Sequence, residues 1–206
     1  RLLIGKDLVA GLRRLAAEEG VSLFTVLLGA WQILLHRLSG QEEFAIGLVA
    51  AGQASMGVRD LVGSCANLVP LQARMAPDER LSDFLSRLKW SSYDAYDHQH
   101  YTVGKLASAL NLPRDVNRPT IVSTAITLET PTEGIHFDGL QAEPMASTTS
   151  FSAFDLAADL TESYDDVAID LHFSEALFDR ATIRRWLVHY CNLLRQMPAA
   201  PTSTIS

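Results

Sequence analysis

The chain of 206 residues has a formal net charge of −7, with 48% hydrophobic and 20% charged residues. This balance is typical of a globular domain and excludes a largely disordered chain. The acidic balance argues against general nucleic-acid binding, which needs a basic face. No apolar run has the length of a membrane span, so we expect a soluble protein.

The first half of the chain predicts helices and strands in mixed order. Ser22 is a good N-cap and Gly40 a good stop for a core helix, and residues 61–75 join a glycine turn to an alternating strand. Pro70 in that strand predicts an edge, a strand start or a bulge. The predicted elements are helix 6–19, helix 22–39, strand 44–50, an alternating strand in the later part of 61–75, a helix starting at 77–79 and helix 102–110.

The second half is richer in strands. Residues 154–160 and 167–173 alternate and predict a hairpin, with its loop at 161–165, and Asp179 predicts the cap of a last helix. Two further strands are predicted at 121–128 and, more weakly, at 135–142. The interleaved order predicts an α/β sandwich with a mixed sheet. Residues 1–197 are predicted as one domain and 198–206 as a Pro/Ala/Ser/Thr linker.

Two cysteines cannot form a disulfide framework for a domain of this size, and no secretory signal is present. Both features indicate a reducing compartment, and we expect a cytoplasmic protein. The chain starts at Arg1, without Met or a leader, and leads at once into structured sequence. It is therefore expected to be part of a longer polypeptide.

Few residues predict chemistry on their own. His98 and His100 lie two residues apart and do not share a helix face, so a metal site is not expected. The sequence has no G-x-S-x-G, G-x-G-x-x-G or Walker motif, and the carboxylate pair at 165–166 is expected to be solvated. Asn67 either caps its own turn or serves a site.

Residues 114–118 hold two arginines and an aspartate between prolines. Arg114, Asp115 and Arg118 could brace a site entrance through bidentate pairs, or could form an exposed ion pair that stiffens a loop. Up to this point the residues predict an α/β lobe without a complete catalytic constellation.

Four ordered segments carry a resemblance to a known family. They are GVSLFTVLLGAWQILLHRLSGQEEFAIG, LVGSCANLVPLQARM, YDHQHYTVGKL and NLPRDVNRPTIV. In this order they resemble the C-terminal half of the condensation domains of nonribosomal peptide synthetases, over about residues 8–197. Gln53 and the GSCANLVPL segment resemble a branch found next to polyketide modules.

The resemblance implies a chloramphenicol-acetyltransferase-like fold, in which two similar lobes enclose an active-site tunnel. It implies amide formation between a carrier-bound acyl or peptidyl thioester and a carrier-bound aminoacyl amine. Substrates would be carried on 4'-phosphopantetheine, with no cofactor bound directly. The family's catalytic H-H-x-x-x-D-G motif belongs to the N-terminal lobe, and this chain contains no such motif, so no catalytic residue is assigned here.

The resemblance also implies roles for single residues. It places Asn67, Ser64 and Cys65 in the tunnel wall. Structural bracing is implied for Arg74, Arg114, Asp115 and Arg118, and His98 and Gln99 fall on an H-Q motif whose following Pro-Phe is replaced by Tyr101-Thr102. Residues 131–151 are the candidate segment that crosses to the other lobe.

The implied partners are the N-terminal lobe, donor and acceptor carrier proteins and an adenylation domain, with no nucleic acid, membrane or metal. An acidic carrier could dock on Arg180, Arg184 and Arg185 of the last helix, although an ordinary solvated face is the more common role of such residues. Two alternatives to amide formation stay open. One is a docking and gating module without chemistry, and the other is an ester-forming or hydrolytic enzyme of the same fold.

Overall fold

A computed structural model describes residues 1–52, 57, 63, 65–76, 78–112, 121–129, 138–140, 153–200 and 203–205. The helices in these ranges are α1 (Lys6–Glu18), α2 (Leu23–Ser39), α3 (Leu81–Asp97), α4 (Val103–Ala109) and α5 (Arg180–Ala199). The strands are β1 (Leu2–Leu3), β2 (Glu43–Ala51), β3 (Ala66–Arg74), β4 (Thr124–Glu129), β5 (Leu156–Glu162) and β6 (Val167–Phe173). The predicted α/β class is confirmed.

The six strands form one mixed sheet in the order β1-β6-β5-β4-β2-β3. Strands β2, β4 and β5 are parallel, whereas β3, β6 and β1 pair antiparallel to their neighbours. β3 lies at an edge of the sheet, where the missing N–H of Pro70 is tolerated, as predicted.

One face of the sheet packs into the core. Ile46, Leu48, Val69 and Leu71 are buried and join a single cluster with residues of α1, α2, α3 and α5, including the fully buried Trp31. Residues on the alternate positions of β3, such as Gln72 and Arg74, are exposed. The predicted alternation of this strand is confirmed.

Helix ends agree with prediction where a cap is local. The Ser22 Oγ accepts a hydrogen bond from the Thr25 N–H (3.1 Å), and the Asp179 Oδ1 accepts one from the Thr182 N–H (2.8 Å). Gly40 ends α2 with φ 69°. These side chains satisfy N–H groups that the first helical turn leaves unpaired.

The start of α3 differs from prediction, since the helix begins at Leu81 rather than at residues 77–79. Arg80, at the N-cap position, makes no side-chain cap bond, and the Leu81 N–H donates instead to the Ser203 carbonyl (3.0 Å). A carbonyl from the end of the chain thus replaces the local cap. Sequence reasoning could not predict this long-range substitution.

The β5–β6 hairpin is tighter than predicted because Thr161 and Glu162 still pair with β6. The turn closes through a hydrogen bond from the Ser163 N–H to the Asp166 carbonyl (2.8 Å). The prediction that residues 165–166 are both solvated is wrong for Asp166. Its Oδ1 accepts hydrogen bonds from the Gly5 N–H (2.9 Å) and the Val167 N–H (2.7 Å), and so ties the start of the chain to β6.

Other predicted boundaries shift by a few residues. β4 begins at Thr124 rather than at 121, and α5 continues through Pro198 to Ala199. Beyond α5, Thr204 forms a bridge with Arg80, and Ile205 is only 3% exposed. Of the weak strand predicted at 135–142, residues 135–137 and 141–142 lie outside the described residues, and Asp138 and Gly139 form a turn.

In the described part of the chain no single helix is both long and apolar enough to cross a membrane. Helices α1 and α2 meet that test only as a pair bent by 102°.

Candidate functional site

Cys65, Asn67 and the His98-Gln99 segment lie at the edge where the parallel strands end. β2 ends at Ala51 and pairs there with Ala66, the first residue of β3. The Gly52 N–H donates to the Cys65 carbonyl (3.1 Å), which closes the pair. We call this edge, at the carboxyl ends of β2, β4 and β5, the carboxyl edge.

Asn67 is the second residue of β3 and pairs with Ala50. By strand alternation it lies on the same face as Val69 and Leu71, the face that carries the core. Its half-buried side chain donates a hydrogen bond from Nδ2 to the backbone carbonyl of Gln99, 32 residues further along the chain. The structure thus joins the Asn67 motif to the His98-Gln99 motif.

The His98-Gln99 segment follows directly on α3 and is held by its own backbone. The Gln99 N–H donates to the Tyr96 carbonyl (3.1 Å), and the Tyr101 N–H donates to the His98 carbonyl (2.9 Å). Burial raises the pKa of the Tyr96 phenol, which stays protonated and neutral near pH 7. With Asn67 bound to the Gln99 carbonyl, this turn has a fixed position relative to β3.

His98 does not have the surroundings of a buried base. Its side chain is 75% exposed, and its Nδ1 lies 2.8 Å from the carbonyl oxygen of Asp94, one turn back in α3. His100 is also exposed. Both histidines thus lie at an exposed helix end rather than in a buried site.

Arg74 lies at the other end of β3. Its Nε is 3.7 Å from the Glu43 carboxylate across the strand pair, and the Arg74 side chain is 66% exposed. Seven residues of strand separate it from Asn67, about 23 Å at the usual rise per residue. The structure therefore does not bring Arg74 together with Asn67.

The arginines of α5 differ in their partners. Arg180 forms an ion pair with Glu175 (2.8 Å), and Arg185 donates to the Thr182 hydroxyl (2.7 Å). Arg184 is exposed and forms no ion pair with the part of the chain that the structure describes. The hydrogen bond from the Thr182 N–H lowers the pKa of the Asp179 carboxyl, which keeps a negative charge close to these arginines.

Known proteins match the whole chain. The Condensation domain family matches residues 1–206. This chain belongs to the condensation-domain family. Tyrocidine synthase 3 of Brevibacillus parabrevis is 32% identical over 203 residues, which are 98% of this chain and 3% of that protein. The resemblance stated from the sequence is confirmed.

Solved condensation-domain structures share the fold. The X-domain from teicoplanin biosynthesis superposes with a TM-score of 0.90 at 19% identity, covering 99% of this chain and 47% of that one. The condensation domain from the Monacolin K polyketide synthase MokA gives 0.85 at 17% identity, covering 97% and 46%. The chain thus spans just under half of these structures and a few per cent of its curated relatives.

Several predicted site residues of this condensation-domain chain lie outside the described residues. They are Ser64, Arg114, Asp115 and Arg118, together with Gln53 and most of residues 131–151. Cys65 is half-buried, and its carbonyl accepts the Gly52 N–H. Among the described residues no group of three or more His, Cys, Asp or Glu side chains could hold a metal ion.

Sequence reasoning missed one polar cluster on the sheet of this condensation-domain chain. The His172 Nε2 lies 3.1 Å from the Asp159 Oδ2, and Asp170 faces Asp159 across the β5–β6 pair. The pKa of the Asp159 carboxyl is raised, chiefly by burial. The nearby His172 lowers this pKa, and the negative charge of Asp170 raises it. The alternation of the two predicted strands could have placed all three on one face.

Proposed function

We propose that this chain is the C-terminal half of an amide-forming condensation domain. The match to solved condensation-domain chains takes in nearly all of this chain but only 46–47% of each of those chains. This proportion supports the proposal, because it is what half of a condensation domain would give. Its four motif segments resemble those of the C-terminal half, and its sequence contains no H-H-x-x-x-D-G motif. The missing half would be its first partner.

The reaction joins two carrier-bound substrates. The amine nitrogen of the aminoacyl acceptor attacks the carbonyl carbon of the acyl or peptidyl thioester, so a C–N bond forms and the C–S bond breaks. The pantetheine thiol of the donor carrier leaves and takes up a proton, while the attacking amine loses one. The group that handles this proton would come from the N-terminal half, because His98 is exposed and no histidine forms a hydrogen bond with Asn67 among the described residues.

The contribution of this half would be a rigid tunnel wall. Asn67 fixes the His98-Gln99 turn to β3, and Cys65 adjoins it at the carboxyl edge. A fixed wall would orient the two pantetheine arms. Correct orientation of the reacting groups raises the rate even where the wall supplies no residue that reacts with the substrate. Bracing by Arg114, Asp115 and Arg118 stays a prediction, as do Ser64 in the wall and the cytoplasmic location.

Carrier docking would use α5. Arg184 is exposed and has no ion-pair partner among the described residues, and Arg185 is exposed beside it. An acidic carrier surface would be steered toward this pair, whereas Arg180 is already paired with Glu175. An adenylation domain would load the acceptor carrier.

The test compares this chain alone with this chain joined to an N-terminal half that carries the H-H-x-x-x-D-G motif. Carrier-bound donor and acceptor are supplied, and the acceptor carrier is analysed by mass spectrometry for the amide product. We expect product only from the joined protein. Product from this chain alone would overturn the proposal and make His98 the first residue to change.

The same assay separates the alternative activities. A joined protein that releases free acid, or that acylates a hydroxyl acceptor but not an amine, would identify a hydrolytic or ester-forming relative. A joined protein that binds both carriers but makes no product would identify a docking and gating module.

A further inference from the structure

A cavity lies at the opposite edge of the sheet, where β2, β4 and β5 begin. We call this the amino edge. It is about 26 Å from the carboxyl edge along β2, at the usual strand rise. The cavity has a volume of about 450 Å³, within the range of roughly 300–1,000 Å³ typical of small-molecule sites. Its lining includes Leu38, Phe44, Thr124, Asp155, Phe178 and Trp186.

The walls of this cavity are largely apolar. Phe178 and Trp186 meet edge to face, with ring centroids 5.2 Å apart and planes at 66°. Both rings are only partly buried, so part of their surface faces the cavity. An apolar body bound there would cover aromatic surface that the fold itself leaves open.

Two polar groups at the same cavity have no partner in the part of the chain that the structure describes. The Thr124 Oγ1 is buried and makes no hydrogen bond with any described residue. The Asp155 carboxylate forms no hydrogen bond or ion pair with any residue that the structure describes, although its backbone is fixed on both sides. The Asp155 N–H donates to the Ser123 carbonyl (2.9 Å), and the Asp155 carbonyl accepts from the Ser174 N–H (3.0 Å).

The negative charge of Asp155 favours a cationic ligand in this cavity. Asp155 is the one charged side chain among the described residues that line it. A carboxylate ligand would be repelled, whereas an ammonium group would pair with Asp155 and could also lie against the face of Trp186.

We propose that the amino-edge cavity binds a compact apolar amine, with its ammonium group at Asp155 and its apolar body against Phe178 and Trp186. This site is separate from the carboxyl edge, and the proposal does not rest on the proposed amide chemistry.

The test uses tryptamine and tryptophol, which share the indole ring and differ in an ammonium or a hydroxyl group. Binding to the 206-residue chain is measured by isothermal titration calorimetry and ligand-observed NMR. We expect tryptamine to bind in the millimolar range and about five- to tenfold more tightly than tryptophol, in line with a partly exposed ion pair plus a cation–π contact.

Three variants locate the site. Asp155→Asn should remove the preference for tryptamine and leave tryptophol binding unchanged, and Trp186→Leu should weaken both ligands. Asp165→Asn makes the same charge change at an exposed position elsewhere and should have no effect. Circular dichroism spectra and unfolding midpoints establish that each variant is folded.

Two outcomes would overturn the proposal. One is equal affinity of the wild-type chain for the amine and the alcohol. The other is an amine preference that falls as much in Asp165→Asn as in Asp155→Asn, which would mean that the amine responds only to overall charge.

Discussion

At the carboxyl edge the Asn67 amide donates to the Gln99 carbonyl, whereas at the amino edge the Thr124 hydroxyl and the Asp155 carboxylate have no partner among the described residues. The two edges are joined by the same parallel strands. A paired amide holds two segments in one relative position. An unpaired buried group instead costs free energy unless a ligand or water completes it.

The two edges therefore differ in the features that mark them as sites. The carboxyl edge is marked by sequence motifs, and its described polar side chain is satisfied within the fold. At the amino edge the family resemblance implies no role for any residue, and the site is marked by geometry, since a cavity, open aromatic surface and polar groups without a described partner coincide there. Variants can test whether the two edges unfold together. They can also test whether removing the polar group destabilises the fold at the carboxyl edge and stabilises it at the amino edge.

The largest effect on stability is expected from a substitution in the core of β2, the strand that runs between the two edges. Leu48 in β2 is 0% exposed, and Leu48→Ala removes buried apolar atoms and leaves a cavity. We expect the free energy of unfolding to fall by about 2–5 kcal/mol, measured by urea denaturation. Binding of tryptamine at the amino edge and turnover of the joined enzyme should be lost over the same range of denaturant.

Val49→Ala is the matched control, because Val49 is the next residue of the same strand and is 41% exposed. It should cost well under half as much as Leu48→Ala. If Leu48→Ala abolished one function at a denaturant concentration that left the other intact, the edges would not be a single cooperative unit.

A smaller effect is expected from the paired group at the carboxyl edge. Asn67→Ala removes the donor to the Gln99 carbonyl, so the turn after α3 is no longer fixed to β3. We expect turnover of the joined enzyme to fall about tenfold, equivalent to about 1.4 kcal/mol in the barrier. Stability should fall by only about 0.5–1.5 kcal/mol, the usual net value of one hydrogen bond.

Gln72→Ala is the control for Asn67→Ala, since Gln72 lies on the exposed face of the same strand. It should change neither turnover nor the urea midpoint by more than the error of measurement. A wild-type rate in Asn67→Ala would remove Asn67 from the site.

Elements with local signals could be predicted from the sequence. Ser22, Gly40 and Asp179 each act within one helical turn, and the helix ends they predict are those observed. Strand alternation in β3 and β5 likewise depends on neighbouring residues. The order of these elements predicted the α/β class, and the motifs added the family, because four of them occur in the family's order.

Contacts between distant residues could not be predicted in the same way. Asn67 and Gln99 are 32 residues apart, and Gly5 and Asp166 are 161 apart. No residue type in either pair specifies the other. The start of α3 at Leu81 and the burial of Ile205 depend on the same long-range packing. The amino-edge cavity was missed for this reason, since its walls come from five separate segments.

The smallest effect on the free energy of unfolding is expected at the amino edge, and there the substitution should raise the free energy of unfolding. Thr124→Val keeps the shape of the side chain but replaces the buried, unpaired Oγ1 with a methyl group. In the absence of ligand we expect the free energy of unfolding to rise by up to about 1 kcal/mol, because the folded chain no longer buries an unsatisfied hydroxyl. Urea denaturation of the two proteins side by side measures this difference. A loss of stability in Thr124→Val would mean that the hydroxyl is already satisfied in the folded state, for instance by bound water. The contrast with Asn67, where removing the polar group should destabilise the fold, would then not hold.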